Sequence, residues 1–300
     1  MKTLLLEKSI SLLKEKGFNV EVFAGFNTCL DIVAKKNNII YFIKILYNID
    51  ALRLETANEL MKLSSVFNAL PIIIGYKTKN QILRDGIAYE RFNIVALSLK
   101  TFEEFIHGRN PVAKYFKGKI STVIDHEKLN RARKRFNYSL AELAEKLNIS
   151  RNALHKYEKG KNPSLQIALQ LEKLLKCKLI KGINIAAEFK ELNIDNELDD
   201  FLLEKLSQYI DLKTFSHAPF KAFSGGTSLL IESSVCKHFE RKILKLEKSK
   251  RVLETNSLML VRKCPYKKIL STPILQENEL DCINSSEDLL KFIREREENA

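Results

Sequence analysis

A short candidate helix over 151–157 carries polar side chains on one face and apolar side chains on the other. At helical spacing the outward-facing side chains are those of Arg151, Asn152, His155 and Lys156. Another candidate helix ends just before it. Two short helices joined by a tight turn hold the exposed face of the second at an angle suited to the major groove. The chemistry that these side chains suit is binding to double-stranded DNA.

The charge distribution favours a polyanionic partner for the middle of the chain. The formal net charge is +13, from 50 Lys and Arg and 37 Asp and Glu. Residues 125–181 contain fourteen Lys and Arg and six Asp and Glu, a local net charge of +8, whereas residues 186–211 carry eight acids and two lysines. A cationic segment of this kind is typical of a nucleic-acid-binding surface. A lysine-rich composition without such a partner gives the same total charge.

Caps and apolar spacing predict the elements that position this face. Leu129, Ala132 and Phe136 share one face of a helix that breaks before residue 139. Ser139 and Glu142 have the spacing of a capping box, in which each side chain bonds the backbone amide of the other residue. A second helix therefore starts at residue 140.

The next signals set the turn and the helix that follows it. Asn148 tolerates the left-handed conformation that a tight turn needs. Ser150 is the predicted N-cap of the helix over 151–157, which ends before Gly160. A further helix is predicted after 162–164, so the region contains four packed helices.

Residues 140–165 read Leu-Ala-Glu-Leu-Ala-Glu-Lys-Leu-Asn-Ile-Ser-Arg-Asn-Ala-Leu-His-Lys-Tyr-Glu-Lys-Gly-Lys-Asn-Pro-Ser-Leu. This stretch resembles the helix-turn-helix domains of the phage Cro and repressor family, and the resemblance extends over 126–176. It implies that the base-contacting residues are Arg151, Asn152 and Lys156, and that the phosphate-contacting residues are Ser150, Lys159 and Lys161. Arg and Lys suit guanine and Asn suits adenine, whereas phosphate contacts hold register without reading sequence.

The sequence departs from this family at one position. Leu140 stands where many members carry a glutamine that contacts phosphate, so we do not expect that contact here. The resemblance also implies that Tyr157 and Glu158 are structural. The alternative for Arg151, Asn152 and Lys156 is that they only solvate the outer face of a small helical bundle.

Patterns on either side predict a multidomain α/β plus all-α protein. We expect an α/β domain over 1–107, a basic linker over 108–125, a central four- to five-helix Cro/repressor-type domain over 126–185, and a C-terminal α/β domain over 195–300. An offset of 187 lays 51–66 over 238–253, 71–75 over 258–262 and 95–106 over 282–293. The last domain is therefore predicted to repeat the first, although two unrelated segments with similar spacing remain the alternative.

The N-terminal order of elements resembles the restriction-endonuclease and Holliday-junction-resolvase fold, PD-(D/E)XK. Such enzymes hold magnesium with an acid on one strand and a Glu-x-Lys on the next. Asp31 matches the first acid, but Lys44 and Leu46 stand where the second acid and the lysine belong. Glu232 lies on a comparable C-terminal strand without a matching acid. We therefore expect two nuclease-like domains with no nuclease activity, no catalytic residues, no metal and no cofactor.

Composition argues against a disulfide-rich protein and against a membrane protein. The five cysteines form no Cys-x-x-Cys pair, and no stretch of about 18 apolar residues is present. The chain is predicted to be cytoplasmic, without a disulfide framework or membrane span.

The whole arrangement resembles a family of archaeal helix-turn-helix transcriptional regulators. That resemblance implies a sequence-specific regulator of transcription that binds DNA as a homodimer, with the α/β domains serving dimerisation or an unknown effector or protein partner. Two alternatives remain: a metal-dependent DNA nuclease or junction-resolving enzyme targeted by the helix-turn-helix, and a module that binds protein or RNA.

Overall fold

The computed structural model describes residues 1–116, 118–188, 198–234 and 239–298. Within these ranges the helices are α1 Lys2–Glu15, α2 Leu54–Val66, α3 Leu99–Ile106, α4 His126–Arg135, α5 Leu140–Lys146, α6 Arg151–Glu158, α7 Leu165–Leu175, α8 Ile185–Glu188, α9 Phe201–Ser207, α10 Phe239–Leu253, α11 Glu277–Leu280 and α12 Ser286–Glu298. None of these described helices is both long and apolar enough to cross a bilayer.

The strands of the same ranges are β1 Asn19–Val22, β2 Ile32–Lys36, β3 Ile39–Asn48, β4 Leu70–Lys77, β5 Ile87–Arg91, β6 Ile94–Leu97, β7 Ala113–Phe116, β8 Lys119–Ser121, β9 Val123–Ile124, β10 Ile180–Lys181, β11 Lys213–Thr214, β12 Ala222–Ser224, β13 Leu229–Ser234, β14 Asn256–Val261, β15 Lys268–Ile269 and β16 Thr272–Gln276. The expected mixture of α/β and helical segments is therefore confirmed.

The chain divides into two compact units that do not follow its linear order. The first contains 46–50 and the described residues from 73 to 188, and the second contains 2–45, 51–72 and the described residues after 197. The predicted domain boundaries stay a prediction. Residues 195–197 of the predicted C-terminal domain and residue 238 of the predicted repeat lie outside the described residues.

In the first unit the strands follow the order β4-β6-β5-β7-β8. Strands β5 and β6 form an antiparallel hairpin, and its two turn residues, Phe92 and Asn93, both have positive φ, which matches the twist of a two-residue hairpin turn. Strand β7 pairs in parallel with β5. The segment 108–125, predicted as a basic linker, thus contains three strands, each too short for its alternation to be recognised in the sequence.

The helical part of the first unit is attached to these strands by backbone hydrogen bonds. Strand β9 pairs with β10 beyond α7, and the Asp125 amide donates to the Leu179 carbonyl at 2.8 Å. The Thr122 amide donates to the Pro163 carbonyl at 3.2 Å. The core beneath α4–α7 consists of Ile124, Leu129, Ala132, Leu143, Ala144, Leu147, Leu154, Ala168, Leu171, Leu175 and Leu179. Apolar burial from all four helices therefore fixes where the outer face of α6 points.

The strands of the second unit form two sets, an antiparallel meander and a six-stranded sheet. Strands β1, β2 and β3 form an antiparallel meander, with Asn37 at φ 51° in the turn between β2 and β3. A six-stranded sheet has the order β11-β12-β13-β14-β16-β15. In that sheet β13, β14 and β16 are parallel neighbours, and every residue of β13 is buried. Such uniform burial is what a strand covered on both faces requires.

The two halves of the chain share one sequence of elements. A helix, an antiparallel meander, a helix and a further strand with a hairpin run from α1 to β6 and again from α9 to β16. The order β4-β6-β5 matches β14-β16-β15. The predicted superposition of 95–106 on 282–293 places 99–106 of α3 on 286–293 of α12, but it places 95–97 of β6 on residues ahead of that helix. The strand with the position of β6 in the sheet order is β16, at an offset of 178. We propose that the halves arose by duplication.

Candidate nucleic-acid interface

Side-chain caps define both helices of the helix-turn-helix. The Ser139 hydroxyl accepts the Glu142 amide at 3.1 Å, and the Glu142 carboxylate accepts the Ser139 amide at 2.7 Å. The predicted capping box is confirmed. Asn148 has φ 52° in the turn, as the sequence predicted. The Ser150 hydroxyl then accepts the Ala153 amide at 3.1 Å, so α6 begins one residue after the turn.

The capping hydrogen bonds also set the charge state of two exposed carboxyls. The bond from the Ser139 amide holds the pKa of Glu142 below its usual value of 4.5. The bond from the Lys128 amide similarly lowers the pKa of Asp125, the N-cap of α4. Both groups are therefore anionic at the positive ends of their helices near neutral pH.

The predicted base-contacting residues lie together on the exposed face of α6. Arg151, Asn152 and Lys156 are all exposed, and His155 is exposed beside them. Within the described residues none of the three predicted side chains forms a hydrogen bond or ion pair with the protein. Their donors are free for an external ligand.

The predicted phosphate-contacting residues are placed around the two ends of α6. Ser150 uses its oxygen as the N-cap acceptor and keeps its hydroxyl hydrogen for another partner. Lys159 is the C-cap residue, and Gly160 follows with φ 109°. Lys161 is exposed just after that turn. A donor therefore stands at each end of the candidate recognition helix.

A buried ion pair fixes α6 against α4. The Arg133 Nε atom donates to Glu158 Oε1 at 2.7 Å, and Nη2 donates to Oε2 at 3.2 Å. Asn130 adds a hydrogen bond to Oε2 at 2.8 Å, and Arg133 Nη1 donates to the Tyr138 carbonyl. Only 11% of the Arg133 side chain and 4% of the Glu158 side chain are exposed. The structural role predicted for Glu158 is confirmed.

A groove that the sequence analysis missed runs between α4, α6 and the start of α5. It has a volume of about 580 Å³ and is lined by cationic and polar side chains, by the carboxylates of Glu127 and Glu158, and by Leu140. Arg131 and Lys134, one turn apart on α4, line it opposite His155 and Lys159 of α6. Apolar spacing identified only the inner face of α4. The side chains that adjoin α6 become evident only when the two helices are packed.

Leu140 has a packing role in place of a polar contact. It is partly buried against the helical core, and its side chain has no hydrogen-bonding group. The expectation that this chain lacks the glutamine contact at the start of α5 therefore has a physical reason in the packing.

The nuclease-like position of the N-terminal half contains an ion pair. Asp31 is 4% exposed, and its Oδ2 atom lies 3.5 Å from Lys44 Nζ and accepts the Ile45 amide at 2.8 Å. Lys2 Nζ lies 3.5 Å from Oδ1. Lys44 also donates to the Thr28 carbonyl at 2.8 Å. An ammonium group thus stands beside the one carboxylate.

The C-terminal half places the opposite charges at the equivalent positions. The Lys221 amide donates to the Ile231 carbonyl at 3.0 Å, as the Asp31 amide donates to Ile43 at 2.8 Å. Glu232 is 2% exposed, lies 3.3 Å from Lys242 and is equivalent to Lys44. Burial raises the pKa of Glu232 above its usual value.

These residues do not fit the magnesium site of a PD-(D/E)XK nuclease. Divalent magnesium in such sites requires carboxylate or carbonyl oxygens from both strands. In each half an acid and a lysine share those positions, so the two strand positions supply one carboxylate. Asp200, outside these positions, is paired with Lys221 at 2.7 Å. No group of three or more His, Cys, Asp or Glu within the described ranges is arranged to hold a metal ion.

Comparison with known proteins identifies similar sequences over nearly the whole chain. A family model described as a PD-(D/E)XK superfamily domain matches residues 2–112, and one described as helix-turn-helix matches residues 129–181. A protein of Methanococcoides burtonii is 33% identical over 98% of this chain and 97% of its own length. Relatives from Pyrococcus horikoshii (33%, 95% of each chain) and Methanococcus vannielii (30%, 100% of this chain and 99% of its own) are also similar. All three are named "Putative HTH-type transcriptional regulatory protein". No solved structure matches this chain.

Proposed function

Because this chain belongs to the archaeal family of HTH-type transcriptional regulatory proteins, we propose that it is a sequence-specific regulator that reads duplex DNA with α6. The observation that carries the proposal is the exposed face of α6, where Arg151, Asn152 and Lys156 have no partner within the described residues. The buried Arg133–Glu158 pair holds the helix that presents this face against α4.

Different parts of this surface have different roles in the proposal. Arg151, Asn152 and Lys156 contact base edges in the major groove, each contributing roughly 1–3 kcal/mol of discrimination. Ser150, Lys159 and Lys161 contact phosphates at either end of α6. Arg131 and Lys134 extend the phosphate contacts along the α4–α6 groove. The cations of the groove therefore set affinity, and α6 sets specificity.

We further propose that two copies bind together. One recognition helix reads only a few base pairs, so a homodimer on two half-sites provides the specificity that a regulator needs. The half-site centres are then separated by about 10 base pairs, or a multiple of this. In this proposal the protein acts in the cytoplasm.

The nuclease-like segments are proposed to act without catalysis. Lys44 beside Asp31, and Lys221 at the position equivalent to Asp31, remove the second carboxylate from each site. The proposal is therefore a DNA-binding function in which the α/β segments serve assembly or regulation.

The test is selection of bound sequences from random duplex DNA by the purified full-length chain. Wild type is compared with Arg151→Ala/Asn152→Ala and with Gln170→Ala/Lys173→Ala. The second variant removes one amide and one positive charge from exposed positions of α7, as the first does on α6. Both variants therefore change net charge equally.

The proposal predicts a palindromic motif that wild type and the α7 variant enrich and the α6 variant does not. Equal, salt-sensitive binding of all sequences by all three proteins would overturn sequence-specific reading by α6. Preference for RNA over duplex DNA would favour the alternative of an RNA-binding module. Magnesium-dependent cleavage of the selected DNA would restore the alternative of a targeted nuclease.

A further inference from the structure

A large apolar cavity lies in the second unit, at the carboxyl ends of two parallel strands. Its volume is about 660 Å³, within the range of small-molecule sites in proteins. Ser234, the last residue of β13, and Val261, the last residue of β14, are register partners and line its inner end. In open α/β sheets, ligands bind in the crevice outside the carboxyl ends of parallel strands.

The lining of this cavity is apolar except at a few points. Its wall is formed mainly by α10 and by the segment between β14 and β15, with Phe239, Ile243, Leu244, Cys264, Tyr266 and Leu270 as contributors. Leu244, Tyr266 and Leu270 are exposed at the mouth, at 44%, 60% and 69%. Large apolar side chains exposed around one opening mark a surface that a ligand covers.

The hydroxyl oxygen of Ser234, at the inner end of the cavity, has no hydrogen-bond partner among the described residues. The Ser234 hydroxyl is buried, the residue is 2% exposed, and its oxygen forms no hydrogen bond within the described part of the chain. A buried hydroxyl without a partner has lost its hydrogen bonds to water and gained none in exchange. A ligand that accepts a hydrogen bond at this point would restore one of them.

Nearby charges favour an acceptor on the ligand. Phe239 and Glu240, the first described residues of α10, line the cavity, and the N-terminal part of a helix carries the positive end of its dipole. Lys263 and Glu240, which are both exposed, also line the cavity and have opposite charges. At the buried end of the cavity, the Ser234 hydroxyl is a hydrogen-bond donor.

We propose that this cavity binds a small apolar molecule bearing one hydrogen-bond-accepting group, such as a carboxylate or carbonyl. The acceptor lies on the Ser234 hydroxyl, and the apolar body lies against α10 and the β14–β15 segment. No residue that lines this cavity belongs to the proposed DNA-binding surface, so binding is tested without DNA.

The first experiment uses displacement of a fluorescent apolar anion, 1-anilinonaphthalene-8-sulfonate, from the full chain. Decanoate displaces the dye, and decyltrimethylammonium, with the same alkyl chain but no acceptor, displaces it at least tenfold less well. Ser234→Ala weakens decanoate binding roughly three- to tenfold, the effect of one hydrogen bond. Val261→Trp fills the inner end of the cavity and abolishes decanoate binding. Leu54→Glu, at an exposed position of α2, leaves decanoate binding unchanged.

A second experiment locates the ligand in the wild-type chain and does not depend on folding of a variant. Alkylation of cysteines is followed by peptide mass spectrometry, with and without decanoate. Cys264, on the cavity wall, is protected, whereas the exposed Cys282 is not. Equal displacement by both decyl compounds, or equal alkylation of Cys264 with and without decanoate, overturns the proposal.

Discussion

Lys221 holds, ahead of β12, the register position that Asp31 holds ahead of β2. Each backbone amide donates to the carbonyl of an isoleucine on the next strand, Ile231 and Ile43. The next residues along those strands, Glu232 and Lys44, have charges opposite to one another. The two halves therefore carry an acid and a base in exchanged positions, and in neither half do the two strand positions supply two carboxylates.

We predict that the protein does not cleave DNA. With magnesium or manganese, duplex and four-way-junction substrates should stay intact, because one carboxylate beside an ammonium group cannot hold the ion. The measurement is gel analysis of labelled substrates over long incubation. Asp31→Ala is the control for contaminating nucleases. Cleavage by wild type that this variant lacks would contradict the prediction.

Removal of the Lys44 ammonium should destabilise the second unit. In Lys44→Met the buried Asp31 carboxylate loses the cation of β3 that lies next to it. We expect a loss of about 2 kcal/mol in the free energy of unfolding. Lys2 lies at the same 3.5 Å from Asp31 but its side chain is 50% exposed, against 13% for Lys44. Lys2→Met should therefore cost under about 1 kcal/mol. Urea denaturation of both variants measures the difference, and equal losses would refute the role of burial.

The Arg133–Glu158 pair should hold α6 in place. Glu158→Ala leaves the Arg133 guanidinium with 11% exposure and without its carboxylate, and should destabilise the helical part by about 3–5 kcal/mol. Hydrogen exchange of α4 and α6 amides, read by mass spectrometry, reports this locally. Arg133→Met/Glu158→Met should recover much of the lost protection, because it removes both charges. If the single variant exchanges like wild type, the pair does not support the helix.

Local signals predicted the helix-turn-helix well because its determinants are local. The Ser139–Glu142 capping box, the left-handed Asn148 and the Ser150 cap each depend on residues within a few positions.

Features that depend on distant pairing were not predicted. Strand β7 gains its partner from β5, and its four residues carry no alternation of their own. The equivalence of Lys221 and Asp31 exists only once β12 is paired with β13. The strand with the position of β6 is β16, at an offset of 178, so the constant offset of 187 misplaced that strand of the repeat.

Because of the capping box, the stability of α5 should depend on pH in the acidic range. The pKa of Glu142 is lowered in the folded state, so its contribution is present above the unfolded value of 4.5 and is lost as pH falls through the folded value. Carboxyl NMR titration measures that pKa. Ser139→Ala should raise it towards 4.5 and destabilise the helix by about 1 kcal/mol. Ser207→Ala, in α9 of the second unit, should not change it.

The salt dependence of DNA affinity should separate phosphate contacts from base contacts. Neutralising one lysine or arginine that contacts a phosphate lowers the slope of log K against log salt by about 0.9, because one fewer counterion is released. We expect this change for Lys161→Ala and for Arg131→Ala, the residue that only the α4–α6 groove identified. Asn152→Ala should lower affinity for the selected motif and leave the slope unchanged, since it removes no charge. Lys173→Ala removes a charge from α7 away from the proposed interface and should change neither quantity. Fluorescence anisotropy between 50 and 300 mM salt, roughly the range in which such slopes are resolved, gives all four values. A slope for Arg131→Ala equal to that of wild type would exclude the groove from the DNA footprint while leaving the role of α6 intact.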